Sequence, residues 1–246
     1  MFTHLSSTYK QRNILHPHNM SINRYTDKRI RIQKIIFYFR GIGGKYKEGW
    51  MKYDKLHRIN APASITYSII SGQIKEKEWY KDGKRHNIGA PAVVTYFENG
   101  ATQDKTWYVD DKRHCSDGGP AYISYYENGN IKAKIWLING EIHRDGGAPA
   151  HITYYETGQI QQEEWYTYGK LNCHESAPAV ISYYENGKIE VETWWINGKR
   201  YRSDGPAVIS YFENGFINEK RWYTDEKINI IITYFENGTI KEEKRY

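Results

Sequence analysis

Histidine is the residue whose spacing in this chain most invites a chemical interpretation. Four histidines recur at a nearly constant interval, at His57, His86, His114 and His143. Histidine binds metal ions, acts as a general base and titrates near neutral pH. If a repeat advances by two strand spacings, neighbouring members of this series lie about 9 to 10 Å apart. That distance is too long for a shared metal ion, and we expect each ring to pack on a tryptophan opposite it.

The cysteines and the paired carboxylates do not form a convergent site either. Cys115 and Cys173 lie two repeats apart, or about 19 Å if the repeats stack regularly. They are too far apart for a disulfide or a shared zinc ion, whose ligands must converge. Glu163-Glu164 and Glu242-Glu243 stand on strands that carry lysines in other repeats, which is typical of a solvated strand. We therefore predict no metal and no cofactor.

Short catalytic motifs are also missing from the sequence. It contains no Gly-Lys-Ser/Thr phosphate loop, no Gly-x-Ser-x-Gly nucleophile elbow and no His-Glu-x-x-His segment. Near-equivalent repeats also lack a unique place for the two differently tuned groups of acid and base catalysis. We therefore predict that the chain is not an enzyme.

The elements that position these residues are tandem repeats of 28 or 29 residues. Proline followed by alanine stands at positions 62, 91, 120, 149, 178 and 206. Tryptophan stands at positions 50, 79, 107, 136, 165, 194 and 222. A fixed period of this size indicates an array in which each repeat buries its face against its neighbours. Function in such an array is expected from repeated surfaces.

The net charge of +6 comes from the beginning of the chain. Of the 35 basic and 29 acidic residues, the first 40 positions hold eight and one, which leaves 27 basic against 28 acidic residues for the array. A surface that follows nucleic-acid phosphates needs lysine and arginine clustered along its length. We therefore predict that the array does not bind nucleic acid.

Residues 1–30 are basic and show no periodicity, and we predict a disordered leader before an array over residues 31–246. The leader lacks the apolar segment of a secretory signal. No apolar run approaches the roughly 18 residues that a membrane-spanning helix needs. Two cysteines form no disulfide framework. We therefore expect an intracellular, cytoplasmic protein that is neither secreted nor transmembrane.

The residues of one repeat predict a β-hairpin. After position 178 the side chains alternate, and Asn186-Gly187 then marks a tight turn. Asn-Gly is typical of type I′ turns because both central residues need positive φ. With a two-residue loop, Tyr184 faces Ile189 and Ser182 faces Val191. We expect the side of the sheet away from Ser182 to be the better buried one.

A second turn follows each tryptophan, as at Asp82-Gly83 and Asn197-Gly198. A two-residue loop here sets each tryptophan opposite the residue seven positions later, which is histidine in four repeats. The sequence therefore predicts an all-β fold, an elongated single-layer antiparallel sheet or β-solenoid of about seven stacked hairpin repeats without helices. Its end repeats should be atypical, since they present a face to water.

Two motifs of the repeat carry a family resemblance. Tyr-Tyr-Glu-Asn-Gly-x-Ile is followed by Trp-Tyr-x-Asn-Gly-Lys, and Asp204–Ala207 supplies an Asp-Gly-Pro-Ala segment. Over roughly residues 30 to 246 the array resembles the MORN-like repeat family in its longer variant. The resemblance implies a twisted antiparallel sheet that serves as an interaction scaffold, in some members with affinity for membranes. Arrays of this variant are similar to ones abundant in large DNA viruses and some bacteria, which implies the host cytoplasm for a viral member.

The candidate partner surface lies on the side of the sheet that carries Ser182 and Val191. A contiguous apolar strip with aromatic residues marks a partner surface when it is exposed, and otherwise forms half of a two-sided core. The apolar residues of this strip are Tyr122, Tyr126, Ile131, Ile135, Tyr155, Ile160, Tyr184, Ile189 and Val191. We expect a non-enzymatic scaffold that binds another protein along them.

Two other functions stay open at the level of sequence. In one, the basic residues from Lys10 to Arg40 attract anionic lipid at roughly 1 kcal/mol per charge, while aromatic residues of the sheet insert into the membrane. In the other, the array is a structural component that assembles end to end.

Overall fold

The computed structural model describes residues 20–27, 32–39, 44–172 and 177–246. Every regular element in these ranges is a β-strand, which confirms the predicted all-β class. No helix in the described part of the chain has the length and apolar character needed to cross a bilayer. The described residues form two compact units, one up to residue 112 and one from residue 113, which we call the N-terminal body and the C-terminal body.

The N-terminal body is an antiparallel array with small hairpins attached. Its strands in chain order are β1 (Met20–Asp27), β2 (Ile32–Phe39), β3 (Lys45–Lys52), β4 (Lys55–Leu56), β5 (Ser64–Tyr67), β6 (Ile74–Glu78), β7 (Tyr80–Lys81), β8 (Lys84–Arg85), β9 (Val93–Tyr96), β10 (Thr102–Thr106), β11 (Tyr108–Val109) and, at the boundary, β12 (Lys112–Arg113). Strands β1, β2, β3, β5, β6, β9 and β10 are successive antiparallel neighbours. Strands β7 and β8 pair separately as a small hairpin.

The C-terminal body repeats this plan. Its strands are β13 (Tyr122–Tyr125), β14 (Ile131–Ile135), β15 (Leu137–Ile138), β16 (Glu141–Ile142), β17 (His151–Tyr154), β18 (Ile160–Glu164), β19 (Tyr166–Thr167), β20 (Lys170–Leu171), β21 (Val180–Tyr183), β22 (Ile189–Thr193), β23 (Trp195–Ile196), β24 (Lys199–Arg200), β25 (Val208–Tyr211), β26 (Ile217–Thr224), β27 (Lys227–Tyr234) and β28 (Ile240–Arg245). The main strands β13, β14, β17, β18, β21, β22, β25, β26, β27 and β28 pair in that order, all antiparallel. The pairs β15–β16, β19–β20 and β23–β24 are small hairpins. A complete repeat thus contributes two main strands and one small hairpin.

From Phe97 onward, the first turn of each repeat has three loop residues instead of the predicted two. Tyr184 N donates to Lys188 O at 2.9 Å, and Gly187 N donates to Tyr184 O at 2.9 Å. Gly187 has a φ of 82°, whereas Asn186 is not among the residues with positive φ. Asn186 Oδ1 instead accepts a hydrogen bond from Lys188 N at 3.0 Å. The predicted type I′ turn is therefore wrong at this place, where a type I turn is followed by a left-handed glycine.

This loop changes the register only next to the turn. Ser182 stays opposite Val191, as predicted, because a β-bulge offsets the extra loop residue. Tyr183, and not Tyr184, faces Ile189. Cross-strand partners share a side of the sheet. The side chains of Ile189 and Val191 therefore lie on opposite sides of the sheet. We call the side with Tyr183 and Ile189 the front side, and the side with Ser182 and Val191 the back side.

The second turn follows the prediction. Asn197 and Gly198 have φ values of 51° and 81°, as a two-residue type I′ turn requires. Tyr201 N donates to Trp194 O at 3.2 Å, which places the tryptophan opposite the residue seven positions later. Gly198 N donates to Leu171 O of the preceding repeat at 2.8 Å. The small hairpins are therefore bonded to one another along the array.

The core of the array lies on both sides of the main strands. Buried alanines lie on the front side in both bodies, at Ala63 and Ala92 in the N-terminal body and at Ala121, Ala150, Ala179 and Ala207 in the C-terminal body. Val180 and Val208 on the back side are buried as well. The expectation that the front side is the better buried one therefore holds only in part. One reason is that small-hairpin residues fold over the back side, as where Trp195 Nε1 donates to Thr193 Oγ1 at 2.7 Å.

Both ends of the described array depart from the complete repeat. Met20–Asp27 form β1 and pair with β2, with Ile22 opposite Phe37, so strand pairing begins before the predicted boundary at residue 31. The rest of the predicted leader before β1, residues 1–19, lies outside the described residues. In the last repeat β26 continues into β27 through a turn at Asp225-Glu226 with φ values of 50° and 65°. In this repeat the small hairpin is part of β26 and β27, because the residues that separate it from the main strands in other repeats are missing.

Candidate interaction surface

The first tyrosine of each repeat holds a charged residue of the preceding repeat on the front side. Tyr183 Oη donates to Glu163 Oε2 at 2.8 Å. Burial and this hydrogen bond raise the pKa of Tyr183. Where lysine takes the place of the glutamate, its ammonium lies over the ring, with Lys134 Nζ 5.5 Å from the centroid of Tyr154. Tyrosine accommodates both charges, since its hydroxyl binds a carboxylate and its ring face attracts a cation.

These contacts correct the sequence-based interpretation of the charged strands. Glu163 and Glu164 are half-buried and hydrogen-bonded, so the predicted solvated strand is wrong for them. Glu242 and Glu243 on β28 are exposed, as predicted. Charge alternation in the central repeats therefore reflects specific contacts between repeats.

The second tyrosine of the central repeats also connects neighbouring repeats. Its hydroxyl donates to the backbone carbonyl of the first tyrosine in the next repeat at 2.7 to 2.8 Å, in the pairs Tyr126–Tyr154, Tyr155–Tyr183 and Tyr184–Tyr211. These three donors belong to the predicted partner strip. Their hydroxyl protons are consequently used within the array.

The predicted strip is not continuous on the back side. Tyr122 pairs with Ile135, which in turn pairs with His151 on the next main strand. His151 Nδ1 lies 2.8 Å from Glu164 Oε2, and both side chains are largely covered, 24% and 16% exposed. This polar pair separates Tyr122 and Ile135 from Val191 two repeats further on.

The structure instead brings tyrosine–isoleucine pairs together on the front side of the C-terminal body, with the charged residues described above against the tyrosines. There each isoleucine after a first turn pairs with a first tyrosine, in the pairs Tyr125–Ile131, Tyr154–Ile160, Tyr183–Ile189, Tyr211–Ile217 and Tyr234–Ile240. We call these ten residues the front strip. Ile160, Ile189 and Ile240 are 38%, 36% and 60% exposed, and the tyrosines are half-buried.

Three residues of the predicted strip, Ile131, Ile160 and Ile189, thus belong to the front strip, while Tyr126, Tyr155 and Tyr184 do not. The sequence-based reasoning missed the front strip because a shift of one residue transfers a side chain to the other face of a sheet. The signal that indicates the shift is the asparagine of the first turn, whose side chain bonds two residues ahead.

Three of the four histidines, His57, His86 and His143, contact the second turn of the following repeat. His57 Nδ1 lies 2.9 Å from Asp82 Oδ1, and His143 stacks on Tyr168 with 4.2 Å between ring centroids. These contacts to the following repeat were not predicted from the sequence. They depend on residues about one repeat away in sequence, which is why the spacing within a single repeat did not indicate them.

Arginines cover several of the tryptophans. The guanidinium carbon lies 3.9 to 4.0 Å from the indole centroid in the pairs Arg58–Trp50, Arg144–Trp136 and Arg202–Trp194. Cys115 occupies the equivalent position in its own repeat and is a half-buried free thiol. Cys173 and His174 lie outside the described residues. The position after the tryptophan hairpin is therefore a covering position for the core.

Two further features of the described residues concern metal ligands and an acidic cleft. Among the described residues no three histidine, cysteine, aspartate or glutamate side chains converge as a metal ion would need. A cavity of about 590 Å³ in the N-terminal body is lined by Glu76, Asp104 and several hydroxyl side chains. It lies beside Ser68, whose hydroxyl donates to Glu98 at 2.8 Å. Hydrogen bonds from Ser68 and Ser71 lower the pKa of Glu98, so this carboxylate holds the neighbouring loop.

Comparison with known families identifies the repeats. The model of the MORN repeat variant matches residues 121–135, 150–168 and 179–193. Each match covers one hairpin of main strands in the C-terminal body, and the prediction from the sequence motifs is confirmed. No curated protein sequence matches the chain. Three repeats of the C-terminal body, between residues 121 and 193, therefore match the MORN repeat variant.

Proposed function

We propose that the protein is a non-enzymatic scaffold that binds another protein through the front strip. The observation that carries the proposal is a row of tyrosine–isoleucine pairs that recurs in five successive repeats of one compact body. MORN repeats themselves suggest a repeat scaffold. Contiguous exposed apolar patches mark interaction sites on soluble proteins.

The composition of the front strip supports a protein partner. Aromatic side chains dominate the binding energy of protein interfaces, and each tyrosine here is held in place by its contact with the preceding repeat, as Tyr183 is by Glu163. Fixed side chains lose little conformational entropy on binding. Four repeat intervals of two strand spacings extend over about 38 Å, which is long enough for an interface of ordinary size.

A paired set of substitutions tests the proposal. Tagged protein is used to purify partners from the native source, and the same is done with Ile160→Lys combined with Ile189→Lys. The matched control is Ile196→Lys, because Ile196 is 41% exposed but lies on the small hairpin of the same body. We expect the double variant to lose the partner and the control to keep it, with unchanged circular dichroism in both. Equal recovery by a folded double variant would contradict the proposal.

A further inference from the structure

A column of glutamates lies in the first turns, between the tyrosine and the isoleucine of each front-strip pair. Each first turn of the C-terminal body carries one exposed glutamate, at Glu127, Glu156, Glu185, Glu213 and Glu236. In the described part of this body the ion pairs involve other side chains. The five carboxylates, which we call the glutamate ladder, therefore form an exposed acidic edge that takes part in none of these ion pairs.

The turns that carry the glutamate ladder contact one another directly. Thr157 Oγ1 donates to Glu185 Oε1 at 3.1 Å, and Asn214 Nδ2 donates to the backbone oxygen of Glu236 at 3.2 Å. The turns are therefore stacked in sequence order. One turn per two strand spacings gives the ladder a period of about 9.6 Å.

Lysines near the ladder are engaged with other groups. Lys188 Nζ donates to the backbone oxygen of Glu213 at 2.8 Å. Lys132 Nζ lies over Tyr126, 5.6 Å from the ring centroid, and Lys241 Nζ lies over Phe235 at 5.8 Å. These lysines form no ion pair with a ladder carboxylate, although the Lys188 ammonium lies at the backbone of Glu213.

We propose that the partner of the front strip is a polypeptide segment in polyproline II conformation with lysine or arginine at every third residue. This inference rests on the proposed function and names the class of partner. The polyproline II helix has three residues per turn and rises about 3.1 Å per residue, so every third side chain returns to one face after about 9.3 Å. Over four intervals, this period and the period of the glutamate ladder accumulate a difference of about 1.2 Å.

Other conformations fit the ladder less well. Along a β-strand, side chains on one face repeat at about 6.6 or 13.2 Å. On an α-helix, the seventh residue returns near the same face after about 10.5 Å, an error of about 3.6 Å over four intervals. The remaining two residues of each polyproline II turn would meet the tyrosines of the front strip, and aromatic grooves are a known docking surface for this conformation.

A spacing test with a defined probe decides the inference. The probe is a fluorescein-labelled peptide of tandem Pro-Pro-Arg triplets, and the comparison peptide has the same composition in shuffled order. Fluorescence anisotropy is measured against the full chain. Exposed ion pairs are individually weak, so binding requires several in register, and we expect the triplet peptide to bind about fivefold more tightly than the shuffled one. Equal affinity for the two peptides would overturn the inference.

Charge-matched variants test the site. Glu156→Gln combined with Glu185→Gln removes two ladder charges, while Glu141→Gln combined with Glu226→Gln removes two exposed charges elsewhere in the C-terminal body. We expect about fivefold weaker peptide binding for the ladder variant and less than about twofold for the control. An equal loss in both would indicate nonspecific attraction and overturn the inference. Preferential binding of the chain to phosphatidylserine vesicles over the triplet peptide would overturn it as well.

The two proposals fail in distinguishable ways. If the isoleucine double variant loses the native partner while the ladder variant keeps both the partner and the peptide, the front strip stands and the basic segment is refuted. If the isoleucine double variant keeps the native partner, the front strip itself is refuted.

Discussion

The hydroxyl of Tyr155 should contribute measurable stability to the stack of repeats. It donates to Tyr183 O in the next repeat at 2.7 Å, and the side chain is half-buried. Phenylalanine already occupies the equivalent position at Phe212, so Tyr155→Phe removes the hydrogen bond without disturbing the ring. A net contribution of about 0.5 to 1.5 kcal/mol is expected for such a bond. Because the site is only partly covered, we predict that the free energy of unfolding falls by about 1 kcal/mol.

Equilibrium unfolding in urea measures this loss as a lower midpoint at unchanged slope. Hydrogen exchange should locate the weakened protection at the junction of β18 and β21, because the removed bond joins their repeats. The reciprocal variant Phe212→Tyr places a hydroxyl near the first tyrosine of the following repeat and should raise stability. An unchanged midpoint for Tyr155→Phe, or a lower one for Phe212→Tyr, would refute the reasoning.

Three further predictions concern the core, the first turn and the response to alkali. Ala179→Leu should lower the free energy of unfolding by about 1 to 3 kcal/mol, because Ala179 is buried and a larger side chain overpacks its site. Ala133→Leu, at a half-buried site, should lower the free energy of unfolding by less in the same urea titration. Gly187→Ala should cost about 1 to 2 kcal/mol from backbone conformation alone, since φ is 82° and an added Cβ meets nothing within 4 Å; an unchanged urea midpoint would contradict this. Burial, with a nearby glutamate, raises the pKa of Tyr80 and of Tyr166 from 10.0 to about 12. The fold therefore favours the neutral phenols, so this stability is complete below pH 10.0 and lost as pH rises towards about 12. Thermal unfolding across this range should show a smaller loss for Tyr166→Phe, and an identical loss would argue against the assignment.

The two turns of the repeat show how far local sequence determines structure here. Asn197-Gly198 forms the two-residue type I′ turn that its dipeptide predicts. Asn186-Gly187 does not, although the dipeptide is the same. In the first turn the side chain of Asn186 bonds to Lys188 N, and this local bond stabilises a three-residue loop. The dipeptide alone therefore predicts a hairpin but not its loop length.

The predicted partner surface depended on that loop length. The strand body was placed correctly, with Ser182 opposite Val191, because the β-bulge restores the register. Ile189 was placed on the wrong side because it lies between the loop and the bulge. The apolar character of the strip was thus predictable, whereas its face required the geometry of the turn.

Contacts between repeats were less accessible to prediction. The pairing of His57 with Asp82 joins residues that are 25 apart in sequence, and it follows from how one small hairpin stacks on the next. The co-occurrence of histidine with an aspartate in the following second turn, as in His86 and Asp110, is the sequence signal for it. Such a signal becomes visible only when consecutive repeats are compared as pairs.

Site-specific photo-crosslinking tests the central claim most directly. A photoreactive amino acid is placed at Ile189 on the front side or at Val191 on the back side, two positions apart on the same bulged strand. After irradiation in the native source, we predict that the partner is captured from position 189 and not from position 191. Capture from position 191 alone would contradict the assignment of the front strip.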